Sequence, residues 1–336
     1  MASVILAGDI GGTKTELGLF GVGTLVPELL REHRYETHDF PSLEDVCTQF
    51  LRDEERKDLE LACFGVPGPI IDGTASATNV RWTMNEERLS DALGGVAVRL
   101  INDLGAAAYG VIHLPASELC VIQRGELEPN YGNIAVIAAG TGLGESALVF
   151  ENRTRSHRNY YPLASEGGHS SFAPQNDEQV ELYRYLRERF GHVSVERVLS
   201  GPGLFNIYSF LRTRRSSEEP KWLTELLEEE DSGAVISEAA LNHRDPECEH
   251  ALAMFADIYG AEAGNLALKV LALGGVYLCG GIAPKILPAL SDGRFTQAFN
   301  DKGRLDALLS KIRVQVALNQ RCGLIGAACY AASMLE

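Results

Sequence analysis

Along the first third of the chain, short apolar runs alternate with stretches of helical period. "SVILAGD" (residues 3–9) is an unbroken apolar run closed by an aspartate, which predicts a buried strand. After a glycine turn, the period-two stretch "ELGLF" predicts a second strand, and "LREHRYE" a further extended segment. Ser42 opens a helix over "SLEDVCTQFLRDEERK", with the serine as N-cap and Asp45 in the first turn. A strand "LELACFGV", the turn-rich "PGPIIDGT", a helix "MNEERLSDALG" and a strand "AVRLIND" follow, then the small-residue helix "LGAAAYGVIHL". Strands alternating with helices predict an α/β sheet covered on both faces.

From about residue 119 the pattern restarts with "LCVIQR", "NIAVIAAG", the loop "TGLGE" and the strand "SALVF". Residues 138–150, "AAGTGLGESALVF", echo residues 8–20, which suggests two related domains, each with a glycine hairpin. Helices are expected over "DEQVELYRYLRERFG", over "VSVERVLSGPGLFNIYSFLRTR", and from about Pro246 to Leu273. The strand "GGVYLCGGI", the helix "APKILPAL", the strand "RVQVAL" and the helix "GLIGAACYAASMLE" close the pattern. "RTRRSSEEPKW" and "LEEEDSG" read as polar surface connections without function.

The first glycine turn resembles a Walker A loop with one letter changed, since Gly8 is followed at the right spacing by Thr13, Lys14 and Thr15. A Walker loop must open a helix, and nothing after Lys14 has helical periodicity, so strand–turn–strand is the better reading. Three glycine-rich turns end apolar strands: Gly11-Gly12-Thr13, Gly140-Thr141-Gly142 and Gly280-Gly281. Glycine lets backbone approach a ligand, and consecutive N–H groups form an anion nest. One such turn is structural more often than not, whereas three together point to a nucleotide clamped between domains.

Composition narrows the field. The 336 residues are enough for two domains, and 45% hydrophobic with 23% charged is ordinary for a globular protein. The net charge of −16 argues against a general binder of nucleic acid or anionic membranes. No apolar run approaches the ~20 residues of a membrane helix, and "MASVILAGDIGG" lacks the basic region of a signal peptide. The seven cysteines are dispersed with no CxxC pair, which reads as reduced thiols in a cytoplasm and makes a zinc site an unpromising expectation.

Each candidate side chain carries two readings. Asp9 ends the first strand beside the phosphate turn, as a Mg²⁺ ligand through water or as a turn cap, at even odds. Asn102-Asp103 ends a strand where ligands gather in α/β sheets, yet an aspartate there is also a good helix N-cap. Glu166 and His169 in "SEGGH" converge on polyol hydroxyls or form half of a metal site. Glu196 heads an apolar helix, where dipole stabilisation is the bland account.

Taken together, "GDIGGTKT", "TNVRW", "LINDLGAAAYG", "GTGLG", "SEGGH", "GHVSVERVLSGPGL" and "CGGIAPK" occur in the order of the bacterial glucokinase family, which this chain resembles over nearly its whole length. The resemblance implies a two-domain α/β fold of the actin-like ATPase (ribonuclease H-like) type, with the ligand cleft between the domains. It places a small domain at residues 1–112 plus 312–336 and a large one at 113–311. It implies ATP-dependent phosphorylation of glucose at the 6-hydroxyl, with Asp103 as general base. Asn79, Asn102, Glu166, His169 and Glu196 would bind the sugar. Asp9, Gly11, Gly12, Thr13, Lys14 and Thr15, with Gly140, Thr141, Gly142, Gly280 and Gly281, would hold ATP. Mg²⁺ would arrive with ATP, without a direct protein ligand unless Asp9 reaches it through water. A cytoplasmic homodimer with no nucleic-acid or membrane partner completes the implication.

Two departures stand out. Ala139 replaces a proline common in the family before Gly140, which would mainly have stiffened the turn. ROK sugar kinases carry a cysteine-rich zinc motif after their histidine, and "GGHSSFAPQNDEQ" holds no cysteine, so His169 is read as a sugar contact. A sugar-responsive regulator on the same fold is the competing class. No helix-turn-helix is expected ahead of the strand that begins at Ser3. Another hexose acceptor, mannose or an N-acetylated hexosamine, is disfavoured by "SEGGH" and "ERVLSGPG".

Overall fold

The computed structural model of the chain describes residues 3–23, 26–52, 59–76, 80–127, 131–154, 157–214 and 218–335. Strands β1 (Val4–Ile10) and β2 (Lys14–Gly21) flank the first glycine turn, and β3 (Glu28–Glu36) follows. Helix α1 (Leu43–Phe50) starts on Ser42, whose side chain accepts from the Asp45 N–H at 3.2 Å. Next come β4 (Leu59–Val66), the short strands β5 (Ile70–Ile71), β6 (Thr74–Ser76) and β7 (Thr83–Asn85), helix α2 (Glu86–Ala92), β8 (Ala97–Asn102) and α3 (Asp103–Val111). The chain continues through β9 (Leu119–Gln123), β10 (Ile134–Ala139), β11 (Leu143–Thr154) and β12 (His157–Leu163). A helical stretch then runs through α4 (Asp177–Phe190), α5 (Gly201–Arg212), α6 (Lys221–Glu229), α7 (Ser232–Leu241) and α8 (Pro246–Val270). It closes with β13 (Gly275–Cys279), α9 (Leu287–Ser291), α10 (Arg294–Asn300), α11 (Asp306–Leu309), β14 (Val314–Ala317) and α12 (Cys322–Ser333).

One sheet has the order β3-β2-β1-β4-β8 and the other β12-β11-β10-β13-β14-β9. In the first, β1 is antiparallel to β2 and parallel to β4, and β4 is parallel to β8. In the second, β10, β13 and β14 run parallel, while β11 and β12 form an antiparallel hairpin. The five strands β12 to β14 thus repeat the order of β3 to β8, which gives the echo between residues 8–20 and 138–150 a structural counterpart. Two mixed α/β sheets with a shared strand order are the architecture expected of the actin-like type.

The chain gathers into two compact units, one of residues 1–118, 146–164 and 319–336, the other of residues 119–145 and 165–318. Relative to the expected boundaries, residues 146–164 fall in the first unit and β14 in the second. In the first unit the five-stranded sheet is covered on one face by α1 and α2 around Phe50, Phe64 and Trp82. On the other face α3 and α12 pack through Ala106, Leu324 and Ala327. The second unit has one continuous core in which α8 is largely buried, with Phe255, Tyr259, Phe295 and Phe299 fully enclosed.

Several expectations are corrected. The apolar period of "VSVERVLSGPGLF" does not produce one helix: Val195–Arg197 is a single 3-10 turn, and α5 begins only at Gly201, where Ser200 caps the Gly203 N–H at 3.0 Å. "APKILPAL" is helical only from Leu287. The polar connections at residues 212–222 and 227–233 are partly helix, because α6 takes up Lys221–Glu229 and α7 starts at Ser232. Glu219 there is structural: it accepts from Tyr208 Oη at 2.6 Å and pairs with Arg212 Nε at 2.9 Å. The strand expected as "SALVF" is longer, and its partner β12 was not foreseen. All seven cysteines are free thiols. Among the described residues no helix is long and apolar enough to cross a membrane.

Candidate active site

In the first unit the β1–β2 turn is closed by the Gly11 N–H, which donates to the Lys14 carbonyl at 2.8 Å. A Cβ on Gly11 would stand 2.9 Å from that same oxygen, so the tight turn excludes other residues. Gly12, Thr13 and Lys14 lie exposed at its tip, while Thr15 is buried. Thr37 braces the turn from behind: its hydroxyl donates to the Gly11 carbonyl at 2.8 Å, its N–H to the Thr13 carbonyl at 2.8 Å, and the Thr15 and Thr37 hydroxyls meet at 2.9 Å.

Asp9 stands at the end of β1, partly accessible, on a cavity of about 370 Å³ that Gly11, Lys14, Arg34 and Arg321 also line. Burial, then the charges of Asp103 and Glu16, push its carboxyl up to about 7. The group fits there because Gly323, in the first turn of α12, has no side chain, and a Cβ would run into the Asp9 carboxylate. At the end of β8, Asn102 is the N-cap of α3, its Oδ1 accepting from the Gly105 N–H at 3.1 Å. Asp103 is the first residue of the helix and accepts from the Leu104 N–H at 2.8 Å. The capping role belongs to Asn102, so the structural reading of Asp103 as the cap does not hold.

Helices α3 and α12 approach unusually closely. A Cβ on Gly326 would stand 2.7 Å from the Gly110 N and against the Ala106 carbonyl, and one on Gly110 would meet the Cys322 carbonyl. Glycine at both points fixes the helix that carries Asp103 against the helix that makes room for Asp9.

In the second unit, the Gly140 N–H donates to the Gly142 carbonyl at 2.9 Å and the Gly201 N–H to the Gly140 carbonyl at 2.8 Å. This ties the second glycine turn to the start of α5. Gly280 has a positive φ of 82° and packs against the Ala139 backbone, and Gly281 has open space where a Cβ would be. Both residues sit beside the end of β10, as the Ile282 N–H to Ala139 carbonyl bond at 3.2 Å requires. Glu196 is brought to the same turn, its Oε2 accepting from the Leu143 N–H at 3.0 Å. Its expected place at the head of a helix is therefore wrong, and it acts on the loop rather than on a helix dipole.

The "SEGGH" segment leaves Glu166 and His169 exposed, with Gly167–His169 in a 3-10 turn. Its two glycines press onto the start of β11, Gly168 against the Leu143 carbonyl and Gly167 against the Glu145 carboxyl. Asn79 lies outside the described residues. Of the residues foreseen, the first unit thus brings together Asp9, the first turn, Asn102 and Asp103, and the second Gly140–Gly142, Gly280, Gly281 and Glu196. Sequence reasoning missed Thr37, Arg34, Arg321, Glu145 and Gly323. Only the paired glycines of "SEGGH" hinted that something bulky lay beneath them.

A nucleoside triphosphate would meet, in the first unit, the exposed tip Gly12–Lys14 and a cavity lined by Lys14 together with Arg34 and Arg321, which are paired with Glu16 at 3.0 Å and Glu32 at 2.9 Å, and, in the second, the open position at Gly281. Among the described residues no group of three or more His, Cys, Asp or Glu is placed to hold a metal ion.

The family model for glucokinase matches residues 6–334. A glucokinase of Nostoc sp. (strain PCC 7120) is 42% identical over 348 residues, spanning 99% of this chain and 100% of the relative. A glucokinase crystal structure from an Antarctic psychrotroph superposes with a TM-score of 0.84 at 31% identity, over 99% of this chain and 100% of that one. A ROK family glucokinase from Streptomyces griseus, solved with glucose and AMPPNP, has the same fold at a TM-score of 0.65 and 22% identity, over 98% of this chain and 100% of that one.

Proposed function

This chain belongs to the glucokinase family, and from that premise we propose how its residues carry out ATP-dependent phosphorylation of glucose. Asp103 takes the proton of the 6-hydroxyl as that oxygen attacks the terminal phosphorus of ATP, whose bond to the bridging oxygen breaks to release ADP. Asn102, Glu166, His169 and Glu196, with Asn79, hold the remaining hydroxyls. These acidic, amide and imidazole groups suit a neutral polyol, and a sugar lacking a hydroxyl would leave them unpaired. The turns Gly11–Thr15 and Gly140–Gly142 donate N–H groups to phosphate oxygens, with Gly280 and Gly281 beside the adenosine. Bound Mg²⁺ would neutralise phosphate charge, and Asp9 is the residue that would hold it through water.

The observation that carries this reading is the division of labour at the start of α3. Asn102 is the residue that caps the helix, and Asp103, its first residue, stands at the end of β8 with its carboxylate in range of Asp9. A base so placed contributes about 10²–10⁴-fold to the rate, the rest coming from positioning and electrostatic stabilisation. A cytoplasmic homodimer completes the proposal, supported by the family resemblance.

The test is a coupled assay of glucose 6-phosphate formation from glucose and Mg-ATP. The wild type is expected to turn over, and Asp103→Ala to lose turnover by orders of magnitude while still folded and binding glucose. A wild type that binds glucose without turnover would overturn the kinase reading in favour of a sugar sensor. Activity that survives in Asp103→Ala would mean that another group is the base.

A further inference from the structure

Beneath the "SEGGH" segment lies a buried acidic residue that the reaction described above does not use. Glu145, on β11, is 1% exposed, and its Oε1 has no hydrogen-bond partner. Its carboxyl lies beside that of Glu262 on α8, which is 6% exposed and whose charge bears on it. Glu262 in turn accepts from Asn265 Nδ2 at 2.8 Å and Lys269 Nζ at 3.1 Å. Lys302, whose Nζ donates to the Ala261 carbonyl at 3.0 Å, adds positive charge on the far side of Glu262. Two carboxyls this close and this buried cannot both ionise cheaply. Burial and the charge of Glu262 push Glu145 upward, towards its neutral form.

Such a group is out of place in a hydrophobic core, where an apolar side chain of the same shape would cost less. What it does touch is the sugar-binding segment. Gly167 sits directly on the Glu145 carboxyl, close enough that a Cβ would collide with Oε2. Next to it, Gly168 rests on the Leu143 carbonyl. The Gly167 N–H is taken by Ser165 Oγ at 2.9 Å, so the segment is held from above by its own turn and from below by the start of β11.

We propose that Glu145 is a positioning residue for glucose: its carboxyl, enclosed beside Glu262, is the surface on which Gly167 rests, and it thereby fixes the height and direction of Glu166 and His169. This rests on the assignment of Glu166 and His169 as sugar contacts. Lys269 Nζ holds the Glu262 carboxylate at 3.1 Å, and the enclosed Glu145 side chain is the prop beneath Gly167. A stiff prop matters because displacement of a substrate-binding group by about 1 Å costs up to about 10²-fold in rate.

The test uses the full-length protein with Glu145→Gln, Glu145→Ala, Gly167→Ala and the double variant Glu145→Ala/Gly167→Ala. The readouts are amide hydrogen exchange of residues 165–170 and steady-state kinetics for glucose and ATP. Gly167→Ala is expected to speed exchange in that segment and to raise the glucose KM about tenfold with kcat and the ATP KM little changed. Glu145→Ala is expected to do likewise, and Glu145→Gln, which keeps the shape beneath Gly167, to stay near wild type. Removing the carboxyl also removes the collision, so the double variant is expected to be less impaired than the sum of the two singles. Simple additivity, or a Gly167→Ala protein with unchanged exchange and KM, would overturn the proposal. That arm does not require Glu145→Ala to fold. Loss of protection spread evenly over α8 and β11 in Glu145→Gln would likewise overturn it, as a general structural role. His169→Ala is measured alongside. If it leaves the glucose KM unchanged, the sugar assignment fails, while exchange at residues 165–170 still decides whether Glu145 props the segment.

Discussion

The Glu196 carboxylate accepts a hydrogen bond from the Leu143 N–H at 3.0 Å, one residue beyond the second glycine turn. Ser200 secures the same segment by donating from Oγ to the Glu196 carbonyl at 2.8 Å while it caps α5. A residue assigned to the sugar is therefore also a brace of the turn assigned to phosphate.

Glu196→Ala is accordingly expected to affect both substrates. The glucose KM should rise about 10²-fold through lost hydroxyl contacts, and the ATP KM severalfold through the slackened turn. Glu196→Gln keeps an oxygen for the Leu143 amide, so the ATP KM should return towards wild type while the glucose KM stays high. Initial-rate measurements with each substrate varied in turn separate the two effects.

At the start of α3 the expected outcomes divide in the opposite way. Asn102→Ala removes the cap and should lower stability by about 1 kcal/mol as well as weaken glucose binding. Asp103→Asn leaves the cap in place and should lower kcat by about 10²–10⁴-fold with little change in the unfolding midpoint. Denaturant unfolding and turnover, measured on both variants, check the contrast.

Asp9 gives a pH dependence with a definite sign. Its carboxyl is raised to about 7 in the folded protein, chiefly by burial and then by Asp103, against about 4 when unfolded. Between those values the folded chain binds more protons than the unfolded one, so this group's contribution to stability falls as pH rises from about 4 to about 7 and stays low above. Asp9→Asn keeps the shape that fits over Gly323 and removes the charge. It should stabilise the ligand-free protein at pH 8 by on the order of 1 kcal/mol, flatten the pH profile and abolish most activity. Urea unfolding at pH 5, 6, 7 and 8 provides the measurement.

Gly326→Ala inserts a methyl group into the backbone of the neighbouring helix, which has no rotamer with which to move aside. The cost is expected to be about 3 kcal/mol. Because the displaced helix carries Asp103, kcat should fall as well in whatever fraction remains folded. Thermal unfolding together with an active-site titration tests this.

The strands and glycine turns of this chain were legible because they are local: the alternation after Gly12 and Gly142 and the apolar runs before them announce β1–β2 and β10–β11. The candidate residues Asp9, Asn102, Asp103 and Glu196 were legible because each ends an element or sits beside a glycine turn. Their partners were not. Thr37 braces a turn more than twenty residues away, and Gly323 accommodates Asp9 from the opposite end of the chain. No periodicity encodes such pairings. The break before Gly201 was hidden because Val195, Val198 and Leu199 have helical spacing yet face the core from a 3-10 turn and the turn and bend that follow it. Glu145 was overlooked because a lone acid in an apolar strand looks like an interruption until the residue above it is known to be glycine.

The close crossing of α3 and α12 also has a consequence in time. Residues 111 and 322 bound the stretch between these helices, and at about 5–20 residues per second a ribosome needs on the order of ten to forty seconds to synthesise it. Throughout that interval the nascent chain carries an uncovered small-residue face on α3 and an Asp9 with no helix beside it. The first unit is complete only after α12 has emerged from the exit tunnel, so sugar phosphorylation begins after translation of that last helix and not during it.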